Sequence, residues 1–301
     1  MPESVPKLKF EGYSEDLRWR VEQNDRLSLV LAKVTEVAVL PHVVFKVLEL
    51  SASTESATTD IERAINVDPG FSSKILVLAN SAHMALPRKI TSIREALLFL
   101  GFRQVRQLAM TVGVFDLFAG KNDRESLRRR AWWRHSVDSA VSARWLADQT
   151  KKVSGDEAYT CALLHLIGKT LLDRYGGVDY KHVEDMMAQG LKDYKAEEAV
   201  YGCHHIQVAT AACMKWRLPE SLVSGLNYAH AAEPDDSSRF IRAAVALASR
   251  IATFAVEGAD ISDQPNALPL WALEVLGLVR VPGDQIIQSA TAAIAAWNVQ
   301  L

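Results

Sequence analysis

The sequence predicts an all-α protein, and three features predict it. Apolar residues recur at spacings close to three and four through most of its 301 residues. Two Ser/Thr-x-x-Glu/Asp-type strings stand directly before apolar runs, where a helix start is expected. No convincing stretch of period-two alternation appears, and there is neither a repeat nor a low-complexity tract.

Residues 16–38 mix charges with Leu17, Val21, Leu27, Val30, Leu31 and Val34, and read as one helix. Leu40-Pro41 breaks that run, and 42–52 resumes on Val43, Val44, Val47, Leu48 and Leu50. Thr59-Asp60-Ile61-Glu62 predicts a capping box, in which Thr and Glu side chains satisfy each other's backbone donors. Its helix ends before Asp68-Pro69, because proline pushes the preceding residue out of the α region. Another helix runs through Lys74–Ala79. Ser92-Ile93-Arg94-Glu95 is a second box, and Gly101 is placed to end its helix in a left-handed cap. Residues 102–119 form one more apolar helix, stopped by Gly120.

The polar stretch 121–127, KNDRESL, reads as a boundary between two helical lobes. Beyond it helices are expected near 128–150, 156–173, 180–190, 195–215, 219–230 and 238–256. A Pro/Gly/Asp-bearing loop at 257–268 precedes a final apolar segment at 270–300.

Composition narrows the classes. Hydrophobic residues are 49% and charged residues 23%, values of an ordinary globular protein, and the formal net charge of -2 gives no global pull towards nucleic acid or an anionic membrane. No window approaches the ~20 apolar residues of a membrane span, and the start has no signal-peptide apolar region. The three cysteines, Cys161, Cys203 and Cys213, are widely spaced and form no CxxC pair, which argues against a zinc knuckle or disulfide framework. A reducing cytoplasm is the expected compartment.

The most informative stretch is Ala162-Leu163-Leu164-His165-Leu166-Ile167-Gly168-Lys169. It resembles the core signature of the HD phosphohydrolases, an apolar helix running into His-Asp-Ile-Gly-Lys. In that family the adjacent His and Asp ligate a catalytic metal. Here the Asp position is Leu166, which offers neither charge nor lone pair.

Further matches extend the resemblance over about residues 35–255, to the HDOD proteins, the HD-related output domains of bacterial signalling. Leu40-Pro41 resembles the family's opening, Asp68-Pro69-Gly70-Phe71 its "DP-x-L" turn, and Leu78-Ala79-Asn80-Ser81-Ala82 its "LANSA" tract. Ile90 through Gly101 is similar to "I-x-SI-x-x-A-x-x-x-LG". Trp133-Arg134-His135-Ser136 matches "W-x-HS", Gly202-Cys203-His204-His205 "G-x-x-H", and Trp216-Arg217-Leu218-Pro219 "W-x-LP". His230 stands where the family often places a histidine pair. The implied layout is an N-terminal extension (1–34), an N-terminal helical lobe (35–120), an HD-like bundle (128–255) and a C-terminal helical segment (256–301).

A working HD site implies His…His-Asp…Asp. His135 and His165 match the histidines, Leu166 replaces one carboxylate, and Ser249 stands where the other is expected. Two imidazoles and a serine suit Mg²⁺ or Mn²⁺ poorly. The expectation is therefore a relic pocket of His135, His165, Leu166, His205, His230 and Ser249, with no metal, no other cofactor and no catalytic residue. Against it stands the plain alternative that His135 and His165 are satisfied core histidines. A non-standard metal site using His204, His205, His230 or Asp138, with Glu197 and Glu198 nearby, is a further alternative. So is Asp138 as an ordinary solvated helix acid.

Arg128, Arg129, Arg130 and Arg134, beside Trp132 and Trp133, form a candidate phosphate-binding cluster. Consecutive arginines point to different sides of a helix, which favours a solvated helix start instead. The helix–Gly–helix outline of 92–119 is too apolar on its second helix for base reading, so nucleic acid is not the expected partner. The functional expectation is a non-catalytic signalling module that acts through a protein partner or a small-molecule or nucleotide ligand. A metal-dependent phosphohydrolase with an altered ligand set is the rival, and a nucleotide binder using the arginines a third. Segments 1–34 and 256–301 are too short for a receiver or kinase domain, so the input is expected from a separate partner or ligand.

Overall fold

The computed structural model describes residues 9–37, 41–52, 57–81, 84, 86, 88–118, 123–229, 236–257 and 268–297. Every regular element among them is a helix: α1 (Glu15–Glu22), α2 (Asp25–Val37), α3 (His42–Ala52), α4 (Thr58–Asn66), α5 (Pro69–Ala79), α6 (Ile93–Phe118), α7 (Asp123–Thr150), α8 (Gly155–Leu164), α9 (Ile167–Tyr175), α10 (Lys181–Ala188), α11 (Asp193–Tyr201), α12 (His205–Lys215), α13 (Glu220–Gly225), α14 (Arg239–Glu257), α15 (Leu270–Leu276) and α16 (Gly283–Ala296). The all-α expectation holds. Several expected helices are split, however: 16–38, 156–173, 195–215 and 270–300 each resolve into two.

The starts and stops follow local chemistry. Ser92 caps the Glu95 N–H at 3.1 Å as expected, while the Glu95 carboxylate takes the Thr91 N–H at 2.7 Å instead of closing the box on Ser92. The first box is displaced: α4 begins at Thr58, and Asp60, not Glu62, reaches back to the Ala57 N–H at 3.0 Å. Asp68 caps α5 through the Phe71 N–H at 3.0 Å with Pro69 in its first turn, where a missing N–H costs nothing. Gly101 has φ 78 and ψ 164, so it kinks α6 in an extended glycine-only conformation, not the expected left-handed cap.

Helices α3 to α6 pack together as one group, and α7, α8 and α14 form the centre of the other. Trp133 of α7 sits against Phe115 and Phe118 of α6, at ring separations of 5.3 and 5.5 Å, and joins the two. A single hydrophobic core runs from Phe10 to Ile294. The first and last described helices pack on the second group. Helices α1 and α2 pack on α12, and α2 also on α9. The Tyr13 hydroxyl donates to the Leu218 carbonyl at 2.8 Å, and Asn24 donates to the Gly202 carbonyl at 3.1 Å. At the other end α15 packs on α14 and α16 on α7, with Tyr159 against Trp297 at 6.1 Å. The described helices of the terminal segments, α1, α2, α15 and α16, thus pack against the HD-like bundle. The expected boundary at 121–127 also changes character, since α7 is already helical from Asp123.

Candidate functional site

Three helical segments bring the HD-like residues together. His135 lies on α7, Ser249 on α14, and His165 in the turn between α8 and α9. His135 Nε2 is 3.1 Å from Ser249 Oγ, and the His135 and His165 ring centroids are 5.4 Å apart. Leu166 is the N-cap residue of α9 and is buried, at 7% exposure. The signature therefore straddles a helix break that the sequence reading had bridged.

The rest of the signature is explained by packing. A Cβ on Gly168 would lie 1.9 Å from the His205 carbonyl oxygen, so only glycine lets α9 approach the start of α12 this closely. Lys169 donates to Asp193 Oδ2 at 2.6 Å. Gly168 and Lys169 thus hold α9 against α12 and α11.

His205 anchors a second network, buried at Glu197, Tyr180 and His205 and half-buried at Tyr228. Glu197 Oε2 accepts from the His205 backbone N–H at 2.8 Å and from Nδ1–H at 2.6 Å, while Oε1 accepts from the Tyr180 hydroxyl at 2.5 Å. His205 Nε2 is 3.2 Å from the Tyr228 hydroxyl, and the Tyr228 ring meets His165 edge-on at 5.2 Å. Burial pushes the Glu197 carboxyl up, but the His205 imidazole and these hydrogen bonds outweigh it and hold the group below the usual range. The Tyr180 and Tyr228 phenols are pushed well up by burial and the nearby carboxylates, so both stay protonated as donors.

The two HD-like histidines behave oppositely to ion-paired ones. Burial, reinforced by Lys169, lowers His135 to about 4. Burial and the His135 ring push His165 well below its ordinary value. His165 Nδ1 lies 2.5 Å from the Ala162 carbonyl oxygen, which can only accept, so Nδ1 carries the proton and Nε2 is a bare lone pair. That Nε2 is buried and has no hydrogen-bond partner among the described residues.

The remaining candidates fall elsewhere. His204 is a helix cap: its Nδ1 accepts from the Gln207 N–H at 3.4 Å and its own N–H donates to Gln207 Oε1 at 3.2 Å. Asp138 is not a solvated acid, since it is 3% exposed and accepts from Arg134 Nε at 3.0 and 2.9 Å. Burial raises its carboxyl, only partly countered by Arg134. His230 lies outside the described residues. The arginine cluster is mostly spent internally. Arg129, at 1% exposure, pairs with Asp173 at 2.6 Å, and Arg128 pairs with Asp173 at 3.1 Å and Glu184 at 3.2 Å beside the Tyr180 ring. With Arg134 on Asp138, Arg130 is the one of the four on the surface with no ion pair of its own among the described residues, and the cluster is neither the open candidate phosphate site nor the fully solvated helix start favoured over it.

The sequence reading missed Tyr180, Tyr228, Asp193 and the Ala162 carbonyl. Each is joined to the site by tertiary contact, not by a motif.

A divalent metal does not fit the described donors. No group of three or more His, Cys, Asp or Glu side chains among the described residues is arranged to hold one. His135 is engaged by Ser249, Leu166 contributes nothing, and Asp193 and Glu197 are committed to Lys169 and His205. Three grooves of about 780, 720 and 470 Å³ lie elsewhere, and His135, His165 and Ser249 line none of them. No helix among the described residues is long and apolar enough to cross a membrane.

Comparison with known proteins places this arrangement. An HDOD domain protein of unknown function from Geobacter sulfurreducens has the same fold, with a TM-score of 0.72, 22% identity, and coverage of 91% of this chain and 99% of that one. A protein from Shewanella amazonensis named as a candidate phosphohydrolase follows at 0.68 and 19%, covering 89% and 97%. A Marinobacter aquaeolei protein named as a candidate signal transduction protein gives 0.61 and 18%, covering 88% and 61%. At these identities the likeness is one of fold. An uncharacterised protein of Treponema pallidum is 24% identical over 200 residues, 64% of this chain, and the match spans 37% of that relative's length. The HDOD domain profile matches residues 37–232, well over half of the sequence, and the chain belongs to the HDOD domain family.

Proposed function

We propose that this chain is a non-catalytic regulatory module of signal transduction, acting in the cytoplasm through contacts with a protein partner or through a small ligand at the HD-like site. One observation carries the reading. Where a hydrolytic site needs two carboxylates, this chain has a buried leucine at Leu166 and a serine, Ser249, hydrogen-bonded to His135. Hydrolysis of a phosphate ester at such a site relies on a cation to generate the nucleophile and neutralise developing charge. The donors present do not support one.

The likeness to a Marinobacter protein named for signal transduction agrees with this reading, and the likeness to a Shewanella protein named for phosphohydrolysis supplies its rival. The test is direct. Purified chain with Mg²⁺, Mn²⁺ or Fe²⁺ is expected to hydrolyse cyclic dinucleotides, nucleoside phosphates and bis-p-nitrophenyl phosphate no faster than background. Metal-dependent turnover that disappears in His165→Ala would overturn the proposal.

A further inference from the structure

One groove lies between residues 9–13 and the turn from α12 to α13, apart from the HD-like residues, and encloses about 720 Å³. That is within the roughly 300–1,000 Å³ of small-molecule sites. Its walls come from distant parts of the chain and are pinned to each other. The Tyr13 hydroxyl donates to the Leu218 carbonyl at 2.8 Å, and the Ser14 N–H donates to Glu220 Oε1 at 3.3 Å. Residues 9–13 precede the family's domain at 37–232, so half of this groove is built outside it.

Three cations line the groove, Lys9 from one wall and Lys215 and Arg217 from the other. All three are exposed, and none has an ion pair among the described residues. Arg217 also holds a backbone conformation that its own Cβ opposes. Helix α12 closes in a Schellman turn, with the Leu218 N–H on the Cys213 carbonyl at 3.0 Å and the Arg217 N–H on the Met214 carbonyl at 2.9 Å. Arg217 therefore sits at φ 58, in the left-handed position that glycine usually fills because a side chain crowds the following carbonyl oxygen. Lys151, at φ 56, is the other non-glycine residue with positive φ among the described residues, and it reaches Asp148 at 3.9 Å. Arg217 has no such carboxylate. The Tyr13 phenol is pushed up to about 12 by burial, then by Cys213 and Glu220, while the Arg217 charge acts in the opposite direction. The guanidinium thus stands near the hydroxyl that pins the two walls.

Two carboxylates share the groove. Glu220 already accepts from Ser14, and Glu11 has no ion pair among the described residues. A ligand with both an anionic end and hydroxyl donors suits this mixture. A phosphate monoester presents three acceptor oxygens to two ammonium groups and a guanidinium fork, where a carboxylate presents two. Hydroxyl groups on the same ligand can donate to the carboxylates.

We propose that this groove binds a small phosphate ester bearing hydroxyl groups, of sugar-phosphate or mononucleotide size, with Lys9, Lys215 and Arg217 on the phosphate and Glu11 and Glu220 on the hydroxyls. The site is separate from the HD-like pocket and stands whether or not that pocket hydrolyses anything. It lies at the far end of α12 from His205, so the same helix carries the groove and the buried Glu197 network.

The experiment is a calorimetric titration and thermal shift of the full chain, at constant ionic strength, with glycerol phosphate, ribose phosphate, AMP and succinate. The phosphate esters are expected to bind and raise Tm, and succinate to bind about tenfold more weakly or less. Tighter binding of ribose phosphate than of AMP assigns the site to sugar phosphates, and the reverse to mononucleotides. Arg217→Gly relieves the left-handed strain, so it is expected to keep or slightly raise the ligand-free Tm while weakening the esters by about tenfold or more. Lys9→Ala, on the opposite wall, is expected to weaken them likewise. No binding by the wild type, succinate binding as tight as the esters, or unchanged affinity in either variant overturns the proposal. So does a fall in the ligand-free Tm of Arg217→Gly, which would assign the arginine to the negative end of the α12 dipole.

Discussion

Gly168→Ala separates a glycine retained for catalysis from one retained for packing. The added methyl would sit 1.9 Å from the His205 carbonyl oxygen, 2.7 Å from its carbon and 2.9 Å from its Cα. All three atoms are backbone, and the His205 N–H and side chain are both pinned to Glu197, so the start of α12 cannot swing aside cheaply. Overpacking a core by one methyl typically costs about 1–3 kcal/mol, and a clash with pinned backbone belongs at or above the top of that range. We expect a loss of about 3 kcal/mol, a large part of the roughly 5–15 kcal/mol that holds a typical domain together. In urea this is a fall in midpoint of about 1 M. Gly155→Ala is the matched control. Its new methyl meets nothing nearer than 3.5 Å, so the change is expected to be neutral or slightly stabilising. If Gly168→Ala unfolds at the same urea concentration as Gly155→Ala, the close approach of α9 and α12 is not what this glycine supports, and the packing account of the signature fails.

Other outcomes follow from the same contacts. Glu197→Gln removes the charge shared by His205 and Tyr180 at zero exposure and is expected to cost about 3 kcal/mol, since breaking one partner of a buried pair strands the other; equilibrium unfolding within 0.5 kcal/mol of wild type, an estimate of no effect, would count against the network. His135 is lowered from 6.5 unfolded to about 4 folded, so the unfolded chain binds the extra proton first. Its contribution is complete above pH 6.5 and is lost as pH falls from there towards 4, by up to about 3 kcal/mol, a slope that His135→Gln should flatten and that would be refuted by identical pH profiles. Leu166→Asp with Ser249→Asp adds two hard oxygen donors beside His135 and His165 and is expected to create Mn²⁺ binding, read as a metal-dependent thermal shift, with lower stability in its absence. Mn²⁺ binding to the wild type as tight as to this variant would show that the site was never disarmed.

The fold was legible in the sequence where helix chemistry is local. Apolar spacing, Ser92, Asp68-Pro69 and Gly101 each mark a real start, stop or kink. What was missed depends on contacts between distant segments. The breaks at His165-Leu166 and Gly202 carry no proline, so apolar periodicity runs across them. Yet the Gly202 turn, with φ 75, lets His205 fold back on Glu197. The arginines read as a solvated helix start, with a phosphate site as the lesser alternative, because their partners, Asp173 and Glu184, arrive from later in the chain. Asp138 looked solvated because its burial is set by neighbours outside its own helix. The pairing of His135, His165 and Ser249 came from the family resemblance, and no spacing rule would have found it.

The helix break also explains why the missing carboxylate need not weaken the fold. Residue 166 is the N-cap of α9, a position at which aspartate is among the favoured residues because its side chain accepts a first-turn N–H. The resemblance places an Asp there in metal-binding relatives, where it would serve the cation and the helix together. Leu166 makes no side-chain cap, which costs about 1 kcal/mol. Burying a leucine contributes about 1.5–3 kcal/mol, and no carboxylate is left stranded beside two neutral imidazoles. With no cation to hold, leucine is the better residue at this point of the chain on these magnitudes. Leucine at 166 is thus compatible with the contacts of Gly168 and Lys169 that hold α9 against α12 and α11, so the scaffold around the site does not depend on a carboxylate at this position.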